Sequence, residues 1–133
     1  MLAVFLPKTN VYGSGCHVHM SIWKDGQNVI GDPTTKFGLS EAGENFFAGV
    51  LNHYNALFHF LCPQPNSLRR VLPSHWVGAY KFWGFENKEA PFRLCSSYKV
   101  GQRVSNFEIK NFDHLANHYV ALAALIACGI DGL

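Results

Sequence analysis

One stretch constrains this chain more than any other: Gly13-Ser14-Gly15-Cys16-His17-Val18-His19-Met20-Ser21-Ile22-Trp23. It opens on a flexible Gly-Ser-Gly and then alternates strictly. In a strand, successive side chains point to opposite faces. Cys16, Val18, Met20 and Ile22 therefore share one face, and His17, His19, Ser21 and Trp23 share the other. One face suits burial. The other carries two imidazoles, a hydroxyl and an indole in a row, which is costly for a plain structural strand and useful for holding a metal and a ligand.

At 133 residues the chain is at most one domain. A hydrophobic content of 48% with only 15% charged residues leaves much surface to hide, so the chain is expected to pack against further protein. The net charge of +2 is small and its cations are scattered, which argues against nucleic acid, where clustered Lys and Arg are the usual footprint. Cys16, Cys62, Cys95 and Cys128 have no C-x-x-C spacing and read as free thiols of a reducing compartment. Met1 to Leu6 has no basic leader, and the apolar run Tyr119 to Ile130 is too short for a bilayer helix. The expectation is a soluble, cytoplasmic protein with no membrane partner.

Along the chain, Leu2 to Leu6 reads as a short buried strand stopped by Pro7. After the strand ending at Trp23, Asp25-Gly26 is a hairpin turn, with a return strand at Asn28 to Ile30. Gly31 to Gly38 is loop. Ser40 caps a helix from about Glu41 to Leu61, with Phe46, Phe47, Val50, Leu51, Tyr54, Leu57, Phe58 and Leu61 as its apolar stripe. Pro63 and Pro65 end that helix, and Pro63 to Trp76 reads as a long functional loop. Val77 to Trp83, Ala90 to Leu94 and Asn106 to Phe112 read as strands, with Cys95 to Val104 as loop. In the last strand Asn106, Glu108 and Lys110 share a face, and Phe107 and Ile109 take the other. Asn117 caps a final helix, Tyr119 to about Ile130, apolar almost all round and expected to be buried, with Gly129 and Gly132 marking its end. The fold class is α+β.

Neutral imidazole is the commonest metal ligand, and a carboxylate would complete a site for a hard divalent ion. His17 and His19 supply the first and Glu108, on a later polar strand face, the second. The plain alternative is a pair of half-exposed histidines at a strand edge. Arg69, Arg70, Lys88, Arg93 and Lys110 suit a polyanion. For each one the alternative is ordinary surface charge, and Arg93 and Lys110 stand out because their strand neighbours are apolar. Cys16 lies on the face opposite His17, so it reads as a core thiol and not as a nucleophile.

These residues resemble the glutamine synthetase catalytic domain. The likeness starts with the Gly13 to Trp23 strand. It continues through Gly38-Leu39-Ser40-Glu41, Asn66-Ser67-Leu68-Arg69-Arg70, Glu86-Asn87-Lys88-Glu89-Ala90-Pro91-Phe92-Arg93, Asn106-Phe107-Glu108-Ile109-Lys110 and Ile130-Asp131-Gly132-Leu133, in order and at compatible spacing. The closest flavour is the fluG-type branch. The resemblance implies antiparallel strands packed with helices, and places residues 1–133 in the later middle of a catalytic domain, incomplete at both ends and without the small N-terminal domain.

It also implies an ATP-dependent ligase that joins a glutamate-type γ-carboxylate to ammonia or another amine through an acyl phosphate, with Mg²⁺ or Mn²⁺. By matched position, His17 and Glu108 would be metal ligands of one ion, and His19 and Ser21 would contact the nucleotide. Lys88 and Arg93 would face the phosphates as nucleotide-binding and catalytic residues. Gly13, Arg70, Trp76 and Lys110 would lie on the substrate side. The parent would be a homo-oligomer.

The departures from the best-known members are specific. Tyr12 replaces an Asn. Trp76 replaces the Glu that helps bind and deprotonate ammonium, which points to a larger or less charged acceptor amine. Lys88 and Lys110 replace arginines and lose bidentate recognition, and His118 replaces a proline. Three readings follow: a fragment of an active ligase that is inactive and aggregation-prone alone, a catalytically lost scaffold or signalling protein, and a small independent metal-binding module.

Overall fold

The computed structural model describes residues 15–73, 78–96 and 104–133. The expected Leu2–Leu6 strand lies outside them. The chain runs β1 (Cys16–Met20), β2 (Trp23–Lys24), β3 (Gln27–Asn28), α1 (Glu41–Asn52), α2 (Tyr54–Leu61), α3 (Pro65–Arg70), β4 (Trp83–Phe85), β5 (Phe92–Ser96), β6 (Val104–Phe112) and α4 (His118–Asp131). Among the described residues, one sheet has the order β1-β6-β5-β4 and a small hairpin pairs β2 with β3. β6 is antiparallel to both β1 and β5, and β4 is parallel to β5.

Local chemistry accounts for the element boundaries. Asp25 and Gly26 both have positive φ, 50° and 74°, as a tight hairpin turn demands. Ser40 Oγ accepts from Gly43 N at 3.0 Å and starts α1. Asn117 accepts from Tyr119 N and Val120 N and starts α4.

The single helix expected from Glu41 to Leu61 is two helices. His53, at ψ 5°, breaks it, so that α1 buries Phe46, Phe47 and Val50 while α2 turns Tyr54, Leu57 and Leu61 inward. The expected loop from Pro63 to Trp76 contains α3. Pro65 begins this helix because proline is tolerated at the first helical position, and Gln64 and Ser67 form a reciprocal cap. The expected strand from Val77 is confined to Trp83–Phe85 among the described residues, and Cys95 and Ser96 belong to β5, not to a loop.

The core lies between one sheet face and the helices. Phe92, Leu94, Phe107 and Ile109 from β5 and β6 meet Phe47 of α1 and Tyr54 of α2. Ring centroids are 5.3 Å apart for Phe47–Phe107 and 4.9 Å for Tyr54–Phe92. Burying a side chain of this size contributes about 1.5–3 kcal/mol. A register shift between Cys16 and Val18, where β1 pairs with β6, lets both Ile109 and Phe112 enter the core, which strict alternation would forbid. α1 and α4 cross at a close approach: a Cβ on Gly49 would stand 2.3 Å from Cys128 O.

α4 departs from expectation. Ala121, Leu125 and Gly129 are buried, but Tyr119 is 89% exposed and Ile130 59%, with Leu122 and Ile126 also exposed. The helix is apolar all round and covered on one side. Gly129 is inside the helix and not at its end, because only glycine fits against the Phe46 ring there. No helix among the described residues is long and apolar enough to cross a membrane.

Candidate active site

The pairing of β1, β6 and β5 aligns His19, Glu108 and Arg93 in one row across the sheet, on the face away from the aromatic core. Glu108 is the hub. Its side chain is 6% exposed, whereas those of His17 and His19 are 42% and 49% exposed, so a buried carboxylate looks out between two open imidazoles. Its Oε1 lies 2.7 Å from His17 Nδ1 and 3.6 Å from His19 Nε2. Its Oε2 lies 2.8 Å from Arg93 Nε but receives no aligned hydrogen bond, because the Nε–H is aimed at Cys95 Sγ, 3.2 Å away. His19 Nδ1 is 2.8 Å from Asn106 Oδ1, which fixes that ring.

Burial pushes the His17 imidazole below its ordinary value, and the Glu108 carboxylate only partly offsets this. A neutral ring is the form that binds metal. Burial also lowers the Lys110 ammonium, against the pull of Glu108.

The structure brings together His17, His19, Glu108 and Arg93. Lys110 is 3% exposed and donates through Nζ to the carbonyl of Lys88, so its ammonium is committed to a backbone oxygen. The Lys88 residue itself is exposed. Ser21 lies past the end of β1 and accepts from Trp23 Nε1 at 2.8 Å, on an exposed surface. Arg70 donates from Nη2 to Phe112 O at 2.9 Å, and its charge adds to the lowering at His17. Gly13 and Trp76 lie outside the described residues. Sequence reasoning overlooked Asn106 and Cys95 as partners of His19 and Arg93. The period of two along β6 and β5 was the available signal, since Asn106 shares a face with Glu108, and Cys95 with Arg93.

The donor set fits a divalent ion on two observations. Glu108 Oε2 is buried without an aligned hydrogen bond, and Oε1 and His17 Nδ1 are already side by side, 2.7 Å apart in a hydrogen bond that a bound cation would replace. An imidazole with a carboxylate is a mixed nitrogen and oxygen donor pair that accepts divalent ions without selecting one of them. Among the described residues no group of three or more His, Cys, Asp or Glu side chains is placed to hold one ion.

The family model for the glutamine synthetase catalytic domain matches residues 1–133. The chain belongs to this family. It is 42% identical over 122 residues to the γ-glutamylpolyamine synthetase GlnA3 of Streptomyces coelicolor, covering 91% of this chain and 26% of the relative. It is 39% identical over 136 residues to type-1 glutamine synthetase 1 of Dictyostelium discoideum, covering 99% and 27%. Among solved structures, a glutamine synthetase of Plasmodium falciparum superposes with a TM-score of 0.87 at 26% identity, over 98% of this chain and 25% of that one. The α+β architecture is thus that of glutamine synthetase. The chain spans about a quarter of the length of the curated relatives it matches.

Proposed function

We propose that residues 1–133 form the later middle of a larger catalytic domain. In this reading the parent enzyme is an ATP-dependent carbon–nitrogen ligase. The γ-carboxylate of a glutamate-type substrate attacks the γ-phosphorus of ATP, releasing ADP and leaving an acyl phosphate. An amine then attacks the acyl carbon, phosphate departs, and the amine nitrogen loses a proton. The observation that carries this reading is the Glu108 hub, a buried carboxylate shared by His17, His19 and Arg93 on an open sheet face.

His17 and Glu108 would hold one Mg²⁺ or Mn²⁺, which when bound neutralises charge on the transferring phosphoryl group. Arg93, fixed beside Glu108, supplies a planar cation for phosphate oxygens, and exposed Lys88 adds a mobile one. His19 and Ser21 face the nucleotide. Gly13, Arg70 and Trp76 belong to the substrate side by family position. Lys110 acts on that side through its charge and through its hold on the Lys88 carbonyl. The isolated chain is inactive in this reading, because among the described residues His17 and Glu108 are too few ligands for a divalent ion. The parent is a cytoplasmic homo-oligomer.

The acceptor is an amine larger than ammonium. Trp76 in place of an acidic residue supports this, as does the 42% identity with a γ-glutamylpolyamine synthetase. The test is phosphate release by the full-length protein with ATP, Mg²⁺, glutamate and a panel of amines. Release with a polyamine and little with ammonium is expected. Release with ammonium alone would overturn the acceptor assignment, and no release with any amine would overturn the ligase reading.

A further inference from the structure

Arg93 and Cys95 are two residues apart on β5 and share a face. The Cys95 thiol uses both of its hydrogen-bonding capacities on Arg93. Its sulfur accepts from Arg93 Nε at 3.2 Å, and its S–H donates to Arg93 O at 3.7 Å. Cys95 is 5% exposed, so this closed loop is sheltered from water. The consequence falls on Glu108. Arg93 Nε is 2.8 Å from Oε2, close enough for a strong charge-assisted bond, yet its hydrogen points at sulfur and Oε2 keeps its lone pairs unbonded. A long guanidinium side chain has ample rotamer freedom to turn onto that oxygen if nothing restrains it.

We propose that Cys95 is a positioning residue: its thiol clips Arg93 to β5 and holds the Nε–H off Glu108, so that the carboxylate stays available to a cation. Its functional consequence rests on the ligase reading of the site, but the clip stands on the hydrogen-bond geometry alone. Serine keeps one donor and one acceptor at this position. Alanine keeps neither, and valine fills the volume without polar atoms.

The test uses the full-length protein labelled with ¹⁵N-arginine, with the Arg93 signal identified by its loss in Arg93→Lys. Two readouts are compared across Cys95→Ala, Cys95→Val and Cys95→Ser. In the first, Arg93 Nε–H exchanges slowly in the natural protein and in the Ser variant, and shifts and exchanges differently in Ala and Val. In the second, Mn²⁺ affinity by paramagnetic resonance falls about tenfold in Ala and Val, the size of one lost or gained charge-assisted hydrogen bond, and Ser recovers it to within about threefold. Ala and Val variants with natural exchange and natural Mn²⁺ affinity would overturn the proposal. So would a Ser variant as impaired as Ala. If Ala does not fold, the Val and Ser pair decides by the same criterion. A parent without phosphate release would sink the ligase reading, and the exchange pattern would still decide whether the clip exists.

Discussion

Two buried carboxylates, one inside β6 and one just past its end, live in different surroundings. Glu108 in β6 and Asp113 just beyond it are 4% and 1% exposed. Asp113 accepts from the Ser67 hydroxyl and from Leu115 N, and the backbone around it is equally engaged. Phe112 O takes Arg70, and the Asn111 amide donates to Tyr54 Oη and to Gly78 O. That cluster ties α2, α3 and Gly78 to the end of β6, with Asn111 Oδ1 buried there without an aligned hydrogen bond. Glu108 instead faces two half-exposed imidazoles and retains an oxygen without an aligned hydrogen bond. Burial is common to both, so burial does not mark chemistry. What separates them is the company: two half-exposed imidazoles reach Glu108 Oε1, while Asp113 meets groups that are themselves packed inside.

The sharpest way to break this contrast is to neutralise each carboxylate in the parent enzyme. Glu108→Gln keeps the shape and should lower Mn²⁺ affinity and ATP-dependent phosphate release by about 100-fold, while unfolding free energy stays within about 1 kcal/mol. Retention of natural Mn²⁺ affinity would remove Glu108 from the metal site. Asp113→Ala should do the reverse. It strands Ser67 and an amide, so the urea midpoint should fall by the equivalent of about 3 kcal/mol, with Mn²⁺ affinity of the folded fraction unchanged.

A smaller effect concerns pH. Folding lowers the His17 pKa below its ordinary 6.5, so the unfolded chain binds the proton more readily. Stability is therefore full above pH 6.5 and declines as pH falls through and below it. His17→Gln should flatten the profile of melting temperature between about pH 7 and 5, modestly because the ring is half-exposed. The smallest effect is on thiols. Cys62, buried beside Asn111, has its pKa pushed up to about 11 by burial and should react with a disulfide reagent at pH 8 at least about tenfold more slowly than partly exposed Cys16. Equal rates would show that the cluster opens readily.

Much of the fold was legible because it is local. The alternation of β1 from Cys16 to Met20, the Asp25-Gly26 turn and the caps at Ser40 and Asn117 each depend on a few neighbouring residues, and each is present. Other local signals are ambiguous. Pro65 ends one helix pattern and begins another, and the sequence alone does not separate the two roles. The apolar stripe from Phe46 to Leu61 is continuous, but the backbone leaves helical geometry at His53 and splits it into two helices.

The site divides the same way. Sequence by itself determined that His17 and His19 share a face and that Glu108 and Lys110 share another, because side chains two apart line one face of any extended strand. Tertiary structure decided what those faces meet. His17 and Glu108 are 91 residues apart, and only the register of β1 on β6, with its shift beside His17, brings them to 2.7 Å. It also committed Lys110 to the Lys88 carbonyl and left one side of α4 uncovered. Contacts between distant segments follow from strand register and helix packing, which no short window of sequence contains.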